Sequence, residues 1–219
     1  MRKYLHLALG VAAVVFATAP FAIHWAPYEV TMGLVQKIFY FHVPSAILTL
    51  VWALVCGVAS AIFLFRKSKY ADYVAVASAE MVVLLGSMML VSGPLWGRKA
   101  WGVWWTWDPR LTSSLMLWIT FLAYLLLRRF GGPGSDKLGA GMALFGMANV
   151  PFIYVSVNYW RTLHPQTTVI PNLVPPMAGP LWFAMLGFLV FSLVLVTLRA
   201  QLEEQRDRVE ALYLAADES

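Results

Sequence analysis

The stretch Trp101–Thr112, WGVWWTWDPRLT, places four tryptophans within seven residues and follows them with an aspartate and an arginine. Indole rings are large, flat and apolar, and a cluster of them can stack on a planar aromatic ligand. Read as a helix, the stretch puts Trp101, Trp104, Trp105 and Asp108 at i, i+3, i+4 and i+7, on one face. That face is an aromatic plate with a carboxylate at its edge. Pro109 limits such a helix, because the residue before a proline avoids the α region. The competing reading is an amphipathic helix resting among lipid headgroups.

Histidine is the other residue type here that could do chemistry, and the chain has four: His6, His24, His42 and His164. His42 stands in FYFHVPSA, two residues before Pro44, and His164 stands in WRTLHPQ, fixed outside a regular helix by Pro165. A lone histidine at a membrane interface is commonly a hydrogen-bonding residue. A pair at matched depth beside an aromatic surface is different, since two imidazoles can bind a haem iron from its two sides. Cys56, the single cysteine, lies in an apolar run and excludes an internal disulfide framework or a cysteine-rich metal site. Without more cysteines or paired carboxylates nearby, a zinc or di-metal site is less natural. No C-x-x-C-H occurs, so the chain does not attach haem to itself in the usual c-type way.

These residues need elements to position them, and composition says which. The chain is 219 residues long, 60% hydrophobic and 12% charged, whereas a soluble domain carries about 25% charged residues. The excess apolar content must face lipid. Six apolar runs, at Leu5–Ile23, Val43–Phe65, Tyr73–Leu95, Thr112–Leu127, Leu138–Tyr159 and Ala178–Leu198, are each near the roughly 20 residues that a helix needs to cross a bilayer. The expected fold is an all-α integral membrane protein, a six-helix bundle over residues 1–200 with a short polar tail over 201–219. That tail reads as disordered or merely solvated, a short surface helix being the alternative.

Orientation follows from the basic residues. With the N-terminus inside, eleven lysines and arginines fall on the inner segments and five on the outer ones: Lys37, Arg98, Lys99, Arg110 and Arg161. Both termini are then cytoplasmic. A cleavable signal peptide over the first run would leave the downstream topology unchanged. Three loops, His24–Phe41, Trp96–Leu111 and Trp160–Met177, face outward, with eight of the ten tryptophans in or beside them. Trp25 and Trp182 suit an interfacial belt, but the 101–107 cluster is denser than a belt requires. His42 and His164 lie at similar depth on the same face, whereas His6 is on the inner side. Glu80, within the third run, should face the bundle in an interhelix hydrogen bond or a subunit contact. Asn149 and Pro151 suggest a local kink in the fifth helix with satisfied polar groups.

WGVWWTWDPRLTS closely resembles the tryptophan-rich signature of the haem-handling membrane proteins of cytochrome c biogenesis, and its RLTS ending resembles the cytochrome c maturation protein C branch, also called heme exporter protein C. KIFYFHVPSA and YWRTLHP look like that family's two histidine motifs, in the family's order, and the six-helix layout also matches. The resemblance implies that haem b is held non-covalently and transiently at the outer face of a bacterial inner membrane. His42 and His164 would be the axial ligands, and the loop with Trp101, Gly102, Trp104, Trp105 and Trp107 would contact the macrocycle. It further implies delivery to a periplasmic haem chaperone, and as partners the membrane and ATPase subunits of an ABC transporter and a small single-helix subunit. The WDP is also reminiscent of the cytochrome c synthetase and lyase branches, which are larger and carry further helices and histidines.

Haem propionates need cations, and Arg110, tied to the motif, is the first candidate, followed by Lys37; a lipid-phosphate contact is the alternative for each. Position 37 is lysine where arginine is expected to be common in the family, so it keeps the charge and loses the bidentate fork. Asp108 could orient a turn, pair with Arg110 or meet the chaperone, a hydrogen-bonding role being favoured. No catalytic constellation is present, and no nucleic-acid partner is expected. A b-type electron-transfer cytochrome would bury histidine pairs within apolar helices, and a haem permease would show an inner-face site or draw energy from partners. The orientation is open to test. Cysteines placed singly as Lys99→Cys and Lys137→Cys, in a Cys56→Ser background, should label from opposite sides of the membrane. Labelling from one side would rule out the six-span arrangement.

Overall fold

The computed structural model describes residues 2–166 and 169–217. Six helices account for most of them: α1 (Arg2–Trp25), α2 (Phe39–Arg66), α3 (Lys69–Trp101), α4 (Pro109–Phe130), α5 (Ser135–Tyr159) and α6 (Pro175–Asp217), with a short 3-10 turn at Leu34–Ile38 before α2. All six are long and apolar enough to cross a membrane. Contacts among the segments after α1, α3 and α5 gather them at one end of the bundle.

Helices α2 and α3 form the centre. Only Lys67 and Ser68 separate them: Lys67 closes α2 in the left-handed region (φ 55) and the Ser68 side chain caps α3 by accepting from Ala71 N. The two pack along their length, α5 and α4 complete one side, and α6 covers the other with α1 outside it. Without a hydrophobic force between apolar helices in lipid, close approach depends on small residues. Ala53, Cys56 and Ala59 of α2 meet Ala75 and Ala79 of α3 in a core that also holds Leu85, Leu117, Phe121 and Tyr124. Gly57 is obligatory at its crossing, since a Cβ there would lie 2.4 Å from Cβ of Met147 on α5.

Every helix is longer than the apolar run that announced it, and three of the extensions bear on the site or the tail. Helix α2 starts at Phe39, a turn before Val43, because the 3-10 turn feeds straight into it; Pro44 thus sits inside the helix and not in its first turn. Helix α3 continues past Leu95 to Trp101, so the first part of the expected outer loop is helical. Helix α6 continues beyond residue 200 to Asp217, so the tail is helical and not disordered as far as it is described; Glu218 and Ser219 lie outside the described residues. Side-chain pairs sustain that extension. Arg199 bridges Glu203, Arg208 bridges Glu204 in the i, i+4 sense, and Asp207 receives both Lys69 Nζ at 3.2 Å and the Tyr73 hydroxyl at 2.8 Å from α3.

Glu80 makes the interhelix contact expected of it: Arg199 Nε on α6 donates to both carboxylate oxygens at 2.8 Å. Asp72 on α3 likewise receives Arg128 of α4. Asn149 Nδ2 donates to Ser113 O at 3.0 Å, beside Pro151 within α5. The crossing at Gly57 gives a direct test of packing. Gly57→Val should lower stability by about 1–3 kcal/mol through overpacking, read as a lower thermal midpoint in detergent. Adding Met147→Ala should recover part of the loss, because the clash is with that side chain.

Candidate functional site

Asp108 organises the loop end. Its backbone is extended (φ −78, ψ 163) and its Oδ1 accepts from Leu111 N at 2.9 Å, the N-cap of α4, with Pro109 in the first turn. Its other oxygen, Oδ2, accepts from the hydroxyls of Thr106 and Thr162, both at 2.9 Å. Thr162 Oγ1 in turn accepts from His164 N at 3.0 Å. One carboxylate thus joins the tryptophan loop, the start of α4 and the segment bearing His164. The hydrogen-bonding role favoured from the sequence is what the geometry gives; among the described residues Asp108 makes no ion pair with Arg110.

The tryptophans do not form a helical face. Helix α3 stops at Trp101, where Gly102 takes the left-handed conformation (φ 79), and residues 102–108 run irregularly to the cap of α4. The i, i+3, i+4, i+7 reading of Trp101, Trp104, Trp105 and Asp108 is therefore corrected: the spacing coincided with a helical period that glycine interrupts. The rings pair edge to face instead, Trp101 with Trp96 (centroids 4.8 Å apart, 82°) and Trp105 with Trp107 (5.8 Å, 75°). Trp104 and Trp107 stay open, at 58% and 75% exposure. Among the described residues, the buried Nε1 of Trp96 and of Trp105 have no hydrogen-bond partner. Trp25 and Trp182, the expected belt residues, are exposed.

His42 lies in the first turn of α2, half-buried, and its Nδ1 is 3.0 Å from Oγ of Ser92 on α3. Gly93 leaves room for the ring, since a Cβ there would stand 3.2 Å from its Cε1. His164, also half-buried, has Nδ1 2.9 Å from the Pro165 carbonyl oxygen. A carbonyl can only accept, so this Nδ1 carries the proton and Nε2 keeps its lone pair. Burial drives the His164 pKa down to about 4, and the positive charge of Arg110 pushes the same way. The ring is neutral at pH 7. The two imidazoles lie within electrostatic reach of one another and of Arg110. The structure thus brings His42, His164, Arg110, Asp108 and the tryptophan loop to one end of the bundle. His24 is exposed at the end of α1.

The cations have structural partners. Arg110 Nη1 donates to the carbonyls of Ile153 (2.9 Å) and Tyr154 (3.4 Å) in the last turns of α5, where a positive charge meets the helix dipole favourably. Lys37 Nζ donates to the Ile23 carbonyl at 2.9 Å and to that of His24, closing the end of α1, and sits over the Tyr28 ring. Arg98 donates to the Gly102 carbonyl, while Lys99 and Arg161 are exposed. Ser92, Gly93, Thr106 and Thr162 escaped the sequence reading. The serine–glycine–proline run inside an apolar segment was the signal available for the first two.

Fold and site together define a polytopic helical membrane protein whose bundle end presents two converging histidines beside an open aromatic loop. The family model described as heme exporter protein C matches residues 1–214. Relatives carrying the same name occur in Escherichia coli K12 (33% identical, covering 94% of this chain and 88% of the relative), Paracoccus denitrificans (32%, 85% and 80%) and Bradyrhizobium diazoefficiens (37%, 66% and 56%). The chain belongs to the heme exporter protein C family.

The Asp108 connection is testable. Asp108→Ala should cost about 1 kcal/mol from the lost cap and should speed amide exchange both in 102–107 and around His164. Asp108→Asn should retain the cap at Leu111 and lose only part of the link to the two threonines. Exchange unchanged around His164 in the alanine variant would show that the carboxylate holds α4 alone.

Proposed function

We propose that this protein binds haem at the outer face of the bacterial inner membrane and delivers it to a periplasmic haem chaperone during c-type cytochrome biogenesis. The observation that carries the reading is that His42 and His164 lie within electrostatic reach of one another at the end of the bundle that holds the tryptophan loop, with Nδ1 of each ring engaged. Membership of a family whose curated relatives are named for haem export supports it.

In this reading the haem is cargo. His42 and His164 each offer Nε2 to the iron, and Trp101, Gly102, Trp104, Trp105 and Trp107 form the surface met by the macrocycle. The guanidinium of Arg110 suits the propionates. The described bonds of Arg110 use Nη1, leaving Nη2 and Nε as donors. Lys37 acts at one remove, by fixing the corner between α1 and the 3-10 turn. Asp108 sets loop geometry and does not touch cargo. Holding is non-covalent, since Cys56 is buried between α2 and α3 with its thiol donating to Ala75 O. Both termini are cytoplasmic, and the partners are the membrane and ATPase subunits of an ABC transporter and a small single-helix subunit. The protein binds and hands over and is not itself an enzyme.

The histidines of a b-type electron-transfer cytochrome would pair within the bundle, whereas these two sit at one end of it. A permease role for the haem remains the second reading of the same site, supported by the word exporter in the relatives' names. Haem-loaded His42→Ala and His164→Ala should each lose the six-coordinate low-spin signature of the parent in absorption and magnetic-resonance spectra, and should deliver less haem to the apo-chaperone. His24→Ala, at the same end but outside both histidine motifs, should change neither. A change in axial ligation in His24→Ala with none in His164→Ala would overturn the pairing.

A further inference from the structure

We infer that Ser92 is a positioning residue that fixes the tautomer of His42 and, being neutral, strengthens its imidazole as a ligand less than a carboxylate would. This rests on the reading of His42 as a haem ligand.

Ser92 Oγ has one proton, and the α3 backbone takes it: the hydroxyl donates to Met88 O at 2.6 Å, with Met89 O at 3.4 Å. Towards His42 that oxygen can only accept. The proton between Nδ1 and Oγ therefore belongs to the ring, and Nε2 is the bare nitrogen. The same helix contains an internal control one and a half turns earlier. Ser87 Oγ donates to Val83 O at 2.7 Å and receives Trp118 Nε1 at 3.0 Å from α4. An indole nitrogen can only donate, so a serine bonded back to its own helix is an acceptor for an incoming ring N–H at Ser87. Ser92 repeats that arrangement with an imidazole in place of the indole. Gly93 completes the seat, because any side chain there would crowd Cε1.

The second consequence lies in what accepts the proton. Ligating histidines that donate to a carboxylate gain basicity from it. Here His42 donates to a hydroxyl, with the Met89 carbonyl as a further partner, and His164 to a peptide carbonyl, all neutral oxygens. Ring direction and tautomer are set, while electron donation to a bound iron is raised less than it would be by a carboxylate partner. Such ligands suit a cargo that must leave.

The test reads the ligand-free protein first. In nitrogen-15 histidine spectra of the full chain in detergent, His42 should be neutral with its proton on Nδ1. Ser92→Ala should convert it to a mixture of tautomers, and Ser92→Thr should retain the parent form. After haem loading, transfer to an excess of a soluble haem scavenger should be about 10-fold faster in Ser92→Ala and near parental in Ser92→Thr. Gly93→Ala, which keeps the hydroxyl and crowds the ring, should also speed transfer while leaving α3 helical. A parental tautomer and transfer rate in folded Ser92→Ala would overturn the inference. If the tautomer shifts as expected but His42→Ala leaves axial ligation unchanged, Ser92 positions the ring and the ligand assignment is what fails.

Discussion

The loop end of this bundle depends on the hydrogen bonds accepted by a single carboxylate. Asp108 takes the Leu111 amide through one oxygen and the hydroxyls of Thr106 and Thr162 through the other. Charge-assisted hydrogen bonds of this kind are the stronger ones, and here they replace the regular secondary structure that the segment lacks. From Gly102 to Asp108 the chain has no helix to fix its indoles, and from Trp160 to His164 it has none to fix its imidazole. Both segments take their place from the same acceptor, which is itself held by the start of α4. The aromatic loop and one candidate ligand are thereby registered to each other.

The other candidate ligand is positioned by a different principle. His42 stands on a regular helix, and its direction is set where α2 crosses α3, between a hydroxyl and a missing side chain. Polar groups within an apolar bundle have no water to turn to, and several hydroxyls of this chain bond back to their own helices. Thr49, Ser87, Ser92 and Ser114 all donate to carbonyls four residues earlier. Once so bonded, a serine on a crossing face becomes an acceptor for a ring from the neighbouring helix. Satisfying the backbone and orienting a side chain are then one arrangement.

The sequence made the helices legible because the length of an apolar run is a bilayer property. It also made His42 and His164 legible, through the rarity of the residue type and their neighbouring prolines. The tryptophans misled because four rings in seven residues match several periods; Gly102, which breaks the helix, carried the decisive information. The helical tail was hidden because hydropathy is blind to ion pairs, and Asp207 finds Lys69 and Tyr73 from 134 or more residues away. The partners of Lys37 and Arg110 were invisible for a similar reason, being backbone carbonyls of other helices that no residue type announces.

Helix α6 has a mechanical meaning. It runs for 43 residues without interruption, which at 1.5 Å per residue is about 65 Å, roughly twice the hydrocarbon thickness of a bilayer. Near its start, Leu181 packs with Ile170 and Leu173 of the segment that follows His164, and with Tyr40, two residues from His42. Its far end is clasped to α3 through Asp207. The helix is thus one rod held near both ends, and by its length alone a tilt of about 5° about the Pro175 end corresponds to ~6 Å at Asp217. The geometry that magnifies a tilt along the rod also explains why its far end needs the clasp on α3: without it, small errors of angle near the histidines would grow into large ones at Asp217.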